Sequence, residues 1–173
     1  MPPAGQLENE PLLPYGLCPP PDREFLKKEV AFVKNLTKKP VIITDSGELR
    51  PWVTPARLSD ILGITLYRNV ETPIFGAFTY PFPPWFYRLK SNLVNKKTII
   101  VELQAEPWSK QPLTQTPLDE QIKKFSPEQL AKNIEFARQT GFEEVYLWGV
   151  EWWYFMAKAD HPEYLEFARE LFK

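Results

Sequence analysis

Two glutamates and a glutamine follow an apolar run in the sequence TIIVELQAEPW, residues 98–108. The run ends at Glu102, and such a change from apolar to charged residues is typical of a buried parallel strand whose end meets solvent. Because side chains alternate along a strand, Glu102, Gln104 and Glu106 are predicted to share one face. Carboxylates there can act as nucleophile or as general acid and base. Two interpretations stay open at this point: an active-site wall, or a surface loop with two solvated glutamates.

The composition leaves carboxylates as the main source of chemistry. The net charge is -1, the pI is about 6.0 and the longest basic runs are lysine pairs, so no nucleic-acid or anionic-membrane partner is expected. A single cysteine, Cys18, and a single histidine, His161, exclude a Cys/His zinc cluster. We therefore predict neither a cofactor nor a metal site.

Length and hydropathy patterning predict one domain over residues 1–173, since 43% of the residues are hydrophobic. No apolar run approaches the roughly 18 residues of a membrane span. The opening residues Met1-Pro2-Pro3 do not resemble the charged start of a secretion signal. A cytoplasmic location is therefore expected for the chain as given.

Four apolar runs predict buried strands, beginning near residues 41, 64, 98 and 144, after a short strand stub within 6–11. Helical patterns alternate with them over 23–36, 54–62, 84–94, 126–141 and 162–172, with Gly63 predicted to close the second helix. In the third helix, Phe86, Leu89 and Leu93 are predicted to face inward. The aromatic stretch from Asn69 and the polar stretch 107–125 are predicted to be loops. This alternation predicts a parallel sheet.

Two α/β architectures fit such a sheet: a doubly wound open sheet and a (β/α)₈ barrel. The sequence contains no glycine-rich phosphate loop of the GxGxxG or GxxxxGK type, which removes the commonest reason for an open nucleotide-binding sheet. Charged and aromatic residues follow every strand, and barrel enzymes carry their active sites at that end. We therefore predict a partial TIM (β/α)₈ barrel, with about five parallel strands and covering helices.

A second glutamate, Glu10, lies at the end of the strand stub. Pro11 is expected to hold Glu10 in an extended conformation, because a proline disfavours the helical region for the preceding residue. Two glutamates on different barrel strands can hydrolyse a glycosidic bond, one protonating the leaving oxygen while the other attacks the anomeric carbon. Glu10 and Glu102 are the candidates for this pair.

Four features in order along the chain carry a family resemblance: Asn9-Glu10-Pro11, Tyr67 at a strand end, the piece ELQA at 102–105, and Trp148 at the last strand end. Together they resemble the clan A glycoside hydrolases, retaining barrel enzymes of β-galactosidase-like and cellulase-like type. The resemblance implies that Glu10 is the acid/base and Glu102 the nucleophile. It also implies that Tyr67 hydrogen-bonds the nucleophile, that Trp148 is a sugar platform and that Asn9 binds the sugar 2-hydroxyl.

Two features depart from the family pattern. Glu106 competes with Glu102 as the nucleophile, and the assignment to Glu102 makes Glu106 a ligand of sugar hydroxyls. The remaining candidates for binding the carbohydrate substrate are Gln104, Trp108 and Glu151, with Glu48 and Arg50 at another strand end. The resemblance also covers only strands four to eight of a barrel, so an N-terminal half is expected to be missing, and the native N-terminus to lie upstream.

Other functions compete with a retaining glycosidase. A non-catalytic carbohydrate-binding or structural remnant would keep the aromatic cleft without turnover. A carboxylate–metal barrel enzyme is disfavoured, because such sites usually need histidine or more aspartates at the strand ends. The sequence does not specify the sugar, the linkage or the oligomeric state.

Overall fold

The computed structural model describes residues 4–14, 18–72, 76–109 and 111–173. The strands are β1 (Gly5–Gln6), β2 (Val41–Ser46), β3 (Ile61–Leu66), β4 (Asn69–Thr72), β5 (Gly76–Thr79), β6 (Thr98–Gln104) and β7 (Val145–Trp148). The α-helices are α1 (Arg23–Leu36), α2 (Val53–Leu58), α3 (Pro84–Val94), α4 (Leu118–Lys124), α5 (Pro127–Thr140), α6 (Val150–Lys158) and α7 (Glu163–Leu171), and a 3-10 turn spans Leu113–Gln115.

Five strands form a curled parallel sheet in the order β1-β2-β3-β6-β7, while β4 and β5 pair as a separate antiparallel hairpin. Each strand of the sheet lies beside the previous one in the chain, whereas a doubly wound sheet reverses its strand order. The predicted α/β class with about five parallel strands is therefore confirmed, and the doubly wound alternative is excluded. The described strands form a half-barrel, and closure into a (β/α)₈ barrel stays a prediction.

Three helix boundaries follow from local sequence as predicted. The Asp22 side chain accepts hydrogen bonds from the backbone N–H groups of Glu24 and Phe25 and so caps α1. Ser126 caps α5, and Gly141 ends this helix with a φ of 72°, a left-handed conformation in which glycine is favoured.

One face of the sheet is buried under the helices. Leu62, Ile64 and Leu66 of β3 belong to the main hydrophobic core, and Ile100 and Leu103 of β6 belong to the same core. A smaller core joins α1 to β2 and is formed by Leu12, Leu26, Val30, Val41 and Ile43. Apolar burial on this face holds the helices in place and leaves the opposite, concave face free of them.

Gly63 corrects the predicted boundary between the second helix and the third strand. The helix ends at Leu58, and Gly63 lies inside β3 rather than closing a helix. A Cβ atom on Gly63 would lie 2.8 Å from Cγ1 of Val101 and 3.0 Å from Cγ2 of Thr44. The glycine is needed because side chains from both neighbouring strands crowd over it on the concave face.

The inward face of α3 was predicted wrongly for Leu89 and Leu93, whereas Phe86 packs against the main core. Leu89 and Leu93 are 45% and 76% exposed, and Phe86 is only partly buried, whereas Tyr87 and Ser91 are buried. The Tyr87 hydroxyl donates to Glu48, and Ser91 is hydrogen-bonded to Thr98. These hydrogen bonds satisfy the buried polar groups, so the helix can bury a face that is not its most apolar one.

Two predicted loops contain regular structure. The aromatic stretch after Tyr67 forms the β4–β5 hairpin, and the polar stretch 107–125 contains a 3-10 turn and α4. Lys124 of α4 lies 2.8 Å from Glu71 of β4, so an ion pair joins these two insertions. Among the helices in the described ranges, none is long and apolar enough to cross a membrane.

Candidate active site

A cavity of about 660 Å³ opens at the carboxyl ends of the strands. Glu10, which follows β1, and Glu102, near the end of β6, both line it. Thr65 and Tyr67, at the end of β3, lie between them in the strand order and also line the cavity. Trp108 contributes a further wall. The structure therefore brings together both glutamates that the sequence predicted as a pair.

The backbone at Glu10 corrects the predicted extended conformation, since its φ is 48°, in the left-handed region. Its N–H group donates to Oγ1 of Thr44 at 2.6 Å. Its carbonyl oxygen accepts from the N–H group of Leu13 at 2.9 Å, which closes a turn. These contacts outweigh the usual effect of Pro11. Backbone in such an unfavourable conformation persists where surrounding contacts hold it in place, and it is often found at functional sites.

The Glu10 carboxylate receives one hydrogen bond from Thr65, whose Oγ1 lies 2.8 Å from Oε1. Burial raises the pKa of Glu10 above its ordinary value. The Thr65 hydrogen bond lowers this pKa, while the negative charges of Glu102 and Asp45 raise it further. Glu10 is thus biased toward its protonated form, as a general acid requires.

The Glu102 carboxylate has two donors. The Tyr67 hydroxyl lies 3.1 Å from Oε2, and the Asn9 side chain also donates to Glu102. Burial raises the pKa of Glu102, and both of these hydrogen bonds lower it. Burial and the charge of Glu102 raise the pKa of Tyr67, so its hydroxyl keeps the proton that it donates. Its ring packs edge-on against Trp108 with centroids 5.3 Å apart.

An irregularity in β6 sets the direction of Glu102. Ile64 pairs with Ile100, yet the next residue, Thr65, pairs with Glu102, so Val101 is an extra residue opposite β3. Because of this bulge, Glu102 pairs with Thr65, and its carboxylate can accept the hydrogen bond from the Tyr67 hydroxyl. Simple alternation along the strand could not predict this shift.

Gln104 lies away from the cavity lining and is buried. Its amide oxygen accepts from the Asn69 N–H at 3.0 Å, and its amide nitrogen donates to the Asn69 carbonyl at 2.7 Å. Asn133 completes this network by donating to the Gln104 carbonyl at 3.0 Å. Gln104 therefore anchors the base of the β4–β5 hairpin, and its predicted role in binding substrate stays a prediction.

Three other predicted site residues form a separate group. Glu106, Trp148 and Glu151 are not among the residues that line the cavity, and Glu151 begins α6 instead of ending a strand. Burial and the charge of Glu151 raise the pKa of Glu106 to about 7, although Trp148 donates a hydrogen bond to its carboxylate. The Trp148 side chain is 50% exposed. This group lies at the edge strand β7, on the other side of β6 from Tyr67.

Thr65 and three residues of the hairpin region were missed in the prediction of the site. Thr65 precedes Tyr67 by two residues, so the alternation of β3 could have identified it as a neighbour on the same face. Val70, Glu71 and Tyr80 line the cavity from the hairpin region, for which the sequence predicted only a loop. Within the described residues, no three His, Cys, Asp or Glu side chains are grouped so that they could hold a metal ion.

Comparison of the chain with protein-family models, curated proteins and solved structures gave no match in any of the three.

Proposed function

We propose that this chain carries the two-glutamate site of a retaining glycoside hydrolase that acts on a β-glycosidic bond. The observation that carries the proposal is that Glu10 and Glu102 share one cavity but differ in their hydrogen-bond donors and in the charges around them. Pairs of carboxyl groups whose surroundings favour different protonation states are typical of acid–nucleophile pairs.

The hydrogen-bond donors and the nearby charges support an assignment of the two roles. Glu102 has two donors that stabilise its ionised form, as a nucleophile needs. Glu10 has one such donor, and the nearby charges of Glu102 and Asp45 disfavour its ionisation. Glu10 is therefore the acid/base and Glu102 the nucleophile. Glu106 fits the nucleophile role less well, because its pKa of about 7 leaves it protonated in a large fraction of molecules at neutral pH.

The reaction proceeds by double displacement. Glu102 attacks the anomeric carbon while Glu10 protonates the glycosidic oxygen, which breaks the glycosidic bond and leaves a glycosyl ester on Glu102. Glu10, now ionised, then takes a proton from water as the water oxygen attacks the same carbon. Glu102 leaves as a carboxylate, and Glu10 regains its proton.

Neighbouring side chains support these steps. The Tyr67 hydroxyl holds the Glu102 carboxylate in one orientation, and Trp108 packs on the Tyr67 ring. The Asn9 side chain donates to Glu102 in the free protein. When a sugar binds, Asn9 is proposed to hydrogen-bond the sugar 2-hydroxyl instead. Trp148, Glu106 and Glu151 are proposed to contact a more distant sugar unit across β6.

The same proposal includes the complete barrel. In the described chain, β1 and β7 each pair on one side only, and the sheet between them is already curled. We infer that further strands, from the same polypeptide or from a partner chain, close this half-barrel into a (β/α)₈ barrel.

Hydrolysis of activated aryl β-glycosides tests the assignment. Glu102→Gln should abolish turnover of every substrate. Glu10→Gln should slow substrates with a poor leaving group by about 100-fold or more, while dinitrophenyl glycosides still form the glycosyl-enzyme without acid assistance. Azide should then accelerate the Glu10→Gln enzyme and yield a glycosyl azide, since azide needs no general base.

Glu106→Gln is the matched control for this experiment, because it removes a carboxylate of the same strand end outside the cavity. It should retain turnover of aryl monosaccharides. Unchanged turnover in Glu102→Gln, together with its loss in Glu106→Gln, would contradict the assignment.

A second candidate function is carbohydrate binding without turnover. It is favoured by the exposed aromatic side chains of β7, since Tyr146 and Trp148 are 56% and 50% exposed and such rings can stack on sugars. This function predicts saturable binding of oligosaccharides that Glu102→Gln leaves unchanged, and no hydrolysis by the unaltered protein.

A further inference from the structure

The tyrosine that contacts the proposed nucleophile lies just beyond the end of a strand. The Tyr67 hydroxyl donates to Oε2 of Glu102 at 3.1 Å. Tyr67 directly follows β3, and the pairing of β3 with β2 ends at Ser46 and Thr65. A side chain in a site keeps a precise direction only where other contacts lock it. The contacts of the Tyr67 backbone therefore matter for Glu102.

Glu48 provides a contact that fixes this backbone. It follows β2, and its carboxylate accepts a hydrogen bond from the Tyr67 backbone N–H and another from the Tyr87 hydroxyl at 2.9 Å. Tyr87 is fully buried in the main core, so the core itself holds one of the two donors. The Glu48 carboxylate thus joins the core to the end of β3.

The backbone next to Glu48 is also held in place. The N–H group of Gly47 donates to the Thr65 carbonyl at 2.9 Å, and a Cβ atom on Gly47 would collide with this same oxygen. The Gly47 carbonyl accepts from Nζ of Lys90 at 2.7 Å. Because both polar groups of Gly47 are bonded, the Glu48 side chain starts from a fixed point close to the end of β3.

The two hydrogen bonds of Glu48 do not depend on a negative charge. Burial raises the pKa of Glu48 to about 7, although the hydrogen bonds from Tyr87 and Tyr67 and the charge of Lys90 lower it. The charge of Arg68 also acts on this carboxyl group. A carboxyl group can accept hydrogen bonds in its ionised form and in its protonated form. Contact with both tyrosines is therefore compatible with either form at neutral pH.

We propose that Glu48 is a positioning residue, which fixes the Tyr67 backbone so that the Tyr67 hydroxyl keeps its hydrogen bond to Glu102. This inference rests on the proposed function, in which Glu102 is the nucleophile. In this role Glu48 touches neither the sugar nor the reacting atoms. Its loss should weaken the stabilisation of ionised Glu102 and slow the attack on the anomeric carbon, while substrate binding is preserved.

The pKa of Glu102 measures this positioning without turnover. Protein labelled with carbon-13 at the glutamate carboxyl carbons is titrated by NMR, and the Glu102 signal is assigned from its loss in Glu102→Gln. Because the Tyr67 hydrogen bond lowers the pKa of Glu102, Tyr67→Phe should raise it. Glu48→Ala and Tyr87→Phe should also raise it. Glu48→Gln should raise it less, because glutamine keeps an acceptor oxygen.

The kinetics of an aryl β-glycoside provide a second readout. Glu48→Ala should lower kcat by about 10-fold and change KM little, since a misplaced group slows the chemical step more than it weakens binding. In the Tyr67→Phe background, Glu48→Ala should change neither kcat nor the pKa of Glu102 any further, because the hydroxyl that Glu48 positions is already absent.

Tyr164→Phe is the matched control for Tyr87→Phe, which carries the same test if Glu48→Ala does not fold. Tyr164 is also fully buried in the main core, and its hydroxyl donates to the Phe125 carbonyl at 2.7 Å. Both substitutions remove a buried hydroxyl and should lower stability. Only Tyr87→Phe should also raise the pKa of Glu102 and lower kcat.

The possible failures are distinguishable. An unchanged or lowered pKa of Glu102 in Glu48→Ala and Tyr87→Phe would overturn the positioning role, and so would an effect of Glu48→Ala on kcat or KM that persists in Tyr67→Phe. Hydrolysis through Glu102 would stand in either case. A protein that hydrolyses no aryl glycoside would contradict the proposed function, whereas the NMR titration would still show whether Glu48 maintains the contact between Tyr67 and Glu102.

Discussion

At the scale of single residues, the proposed roles of the two glutamates rest on their hydrogen-bond donors. Among the described residues, Glu102 accepts hydrogen bonds from the Tyr67 hydroxyl and the Asn9 side chain, whereas Glu10 accepts one from Thr65. Both carboxyl groups are partly buried, which raises both pKa values, so the donors and the neighbouring charges decide which one keeps a proton.

The pH dependence of kcat/KM for an aryl β-glycoside with a poor leaving group should be bell-shaped. As the pH falls, Glu102 gains a proton and is lost as a nucleophile. As the pH rises, Glu10 loses the proton that it must donate. Because the pKa of Glu10 is raised, the alkaline limb should lie above the ordinary range of a glutamate.

Glu10→Gln should remove the alkaline limb and leave the acidic limb in place. The measurement is a pH–rate profile of both proteins on the same substrate. An alkaline limb that persists in Glu10→Gln would mean that another group donates the proton.

At this scale the sequence predicted the central residues but not all of their neighbours. Glu10, Glu102 and Tyr67 could be identified because each ends a strand pattern and the order along the chain is distinctive. The role of Gln104 could not, because its hydrogen-bond partners Asn69 and Asn133 are distant from it in the sequence.

At the scale of elements, β3 packs closely against both neighbouring strands at Gly63. The side chains of Val101, Thr44 and Ile42 would lie 2.8, 3.0 and 3.1 Å from a Cβ atom at this position. A methyl group there would have to displace atoms from both neighbouring strands, directly below the site.

Gly63→Ala should therefore destabilise the protein by about 1–3 kcal/mol, a typical cost of overpacking. Urea unfolding at pH 7 measures the change. Gly5→Ala in β1 is the matched control, because no atom lies within 4 Å of its added Cβ, and it should alter the free energy of unfolding far less. Equal effects of the two substitutions would contradict the packing account.

Elements with strong local signals were predicted well, and the insertions were not. Asp22, Ser126 and Gly141 gave clear helix ends. The hairpin and α4 are held by contacts between residues that are distant in the sequence, such as the Glu71–Lys124 ion pair. Contacts of this kind cannot be predicted from a short stretch of sequence. The predicted helix end at Gly63 was wrong because glycine is favoured both at helix ends and at positions of close packing, so its presence does not distinguish the two.

At the scale of the whole molecule, several buried or half-buried carboxyl groups make stability depend on pH. Burial raises the pKa of Asp45 from 3.8 to about 6, and it raises the pKa of Glu48 and of Glu106 from 4.5 to about 7. The folded protein therefore holds protons that the unfolded chain releases between about pH 4 and pH 7. This stabilisation is present below the unfolded pKa values and is lost as the pH rises through the folded ones.

The free energy of unfolding should thus fall between pH 4.5 and pH 7.5, by an amount on the order of 1–3 kcal/mol. Urea denaturation at several pH values measures it. Glu48→Gln should flatten the dependence, since glutamine does not titrate. Stability that rises across this interval would contradict the account.

The parallel sheet itself was predictable from the alternation of apolar runs and helical patterns, and the strand order then excluded a doubly wound fold. Closure of the barrel would need strands that are not part of the described sheet, so it stays a proposal.

Covalent trapping tests the central claim most directly. The protein is incubated with dinitrophenyl 2-deoxy-2-fluoro-β-glycosides, whose good leaving group lets the glycosyl-enzyme form while fluorine slows its hydrolysis. The tryptic peptide 98–110 contains both Glu102 and Glu106, so tandem mass spectrometry must resolve the labelled residue. We predict one glycosyl group on Glu102 and none in Glu102→Gln. Turnover without an adduct, or an adduct on Glu106, would contradict the assignment.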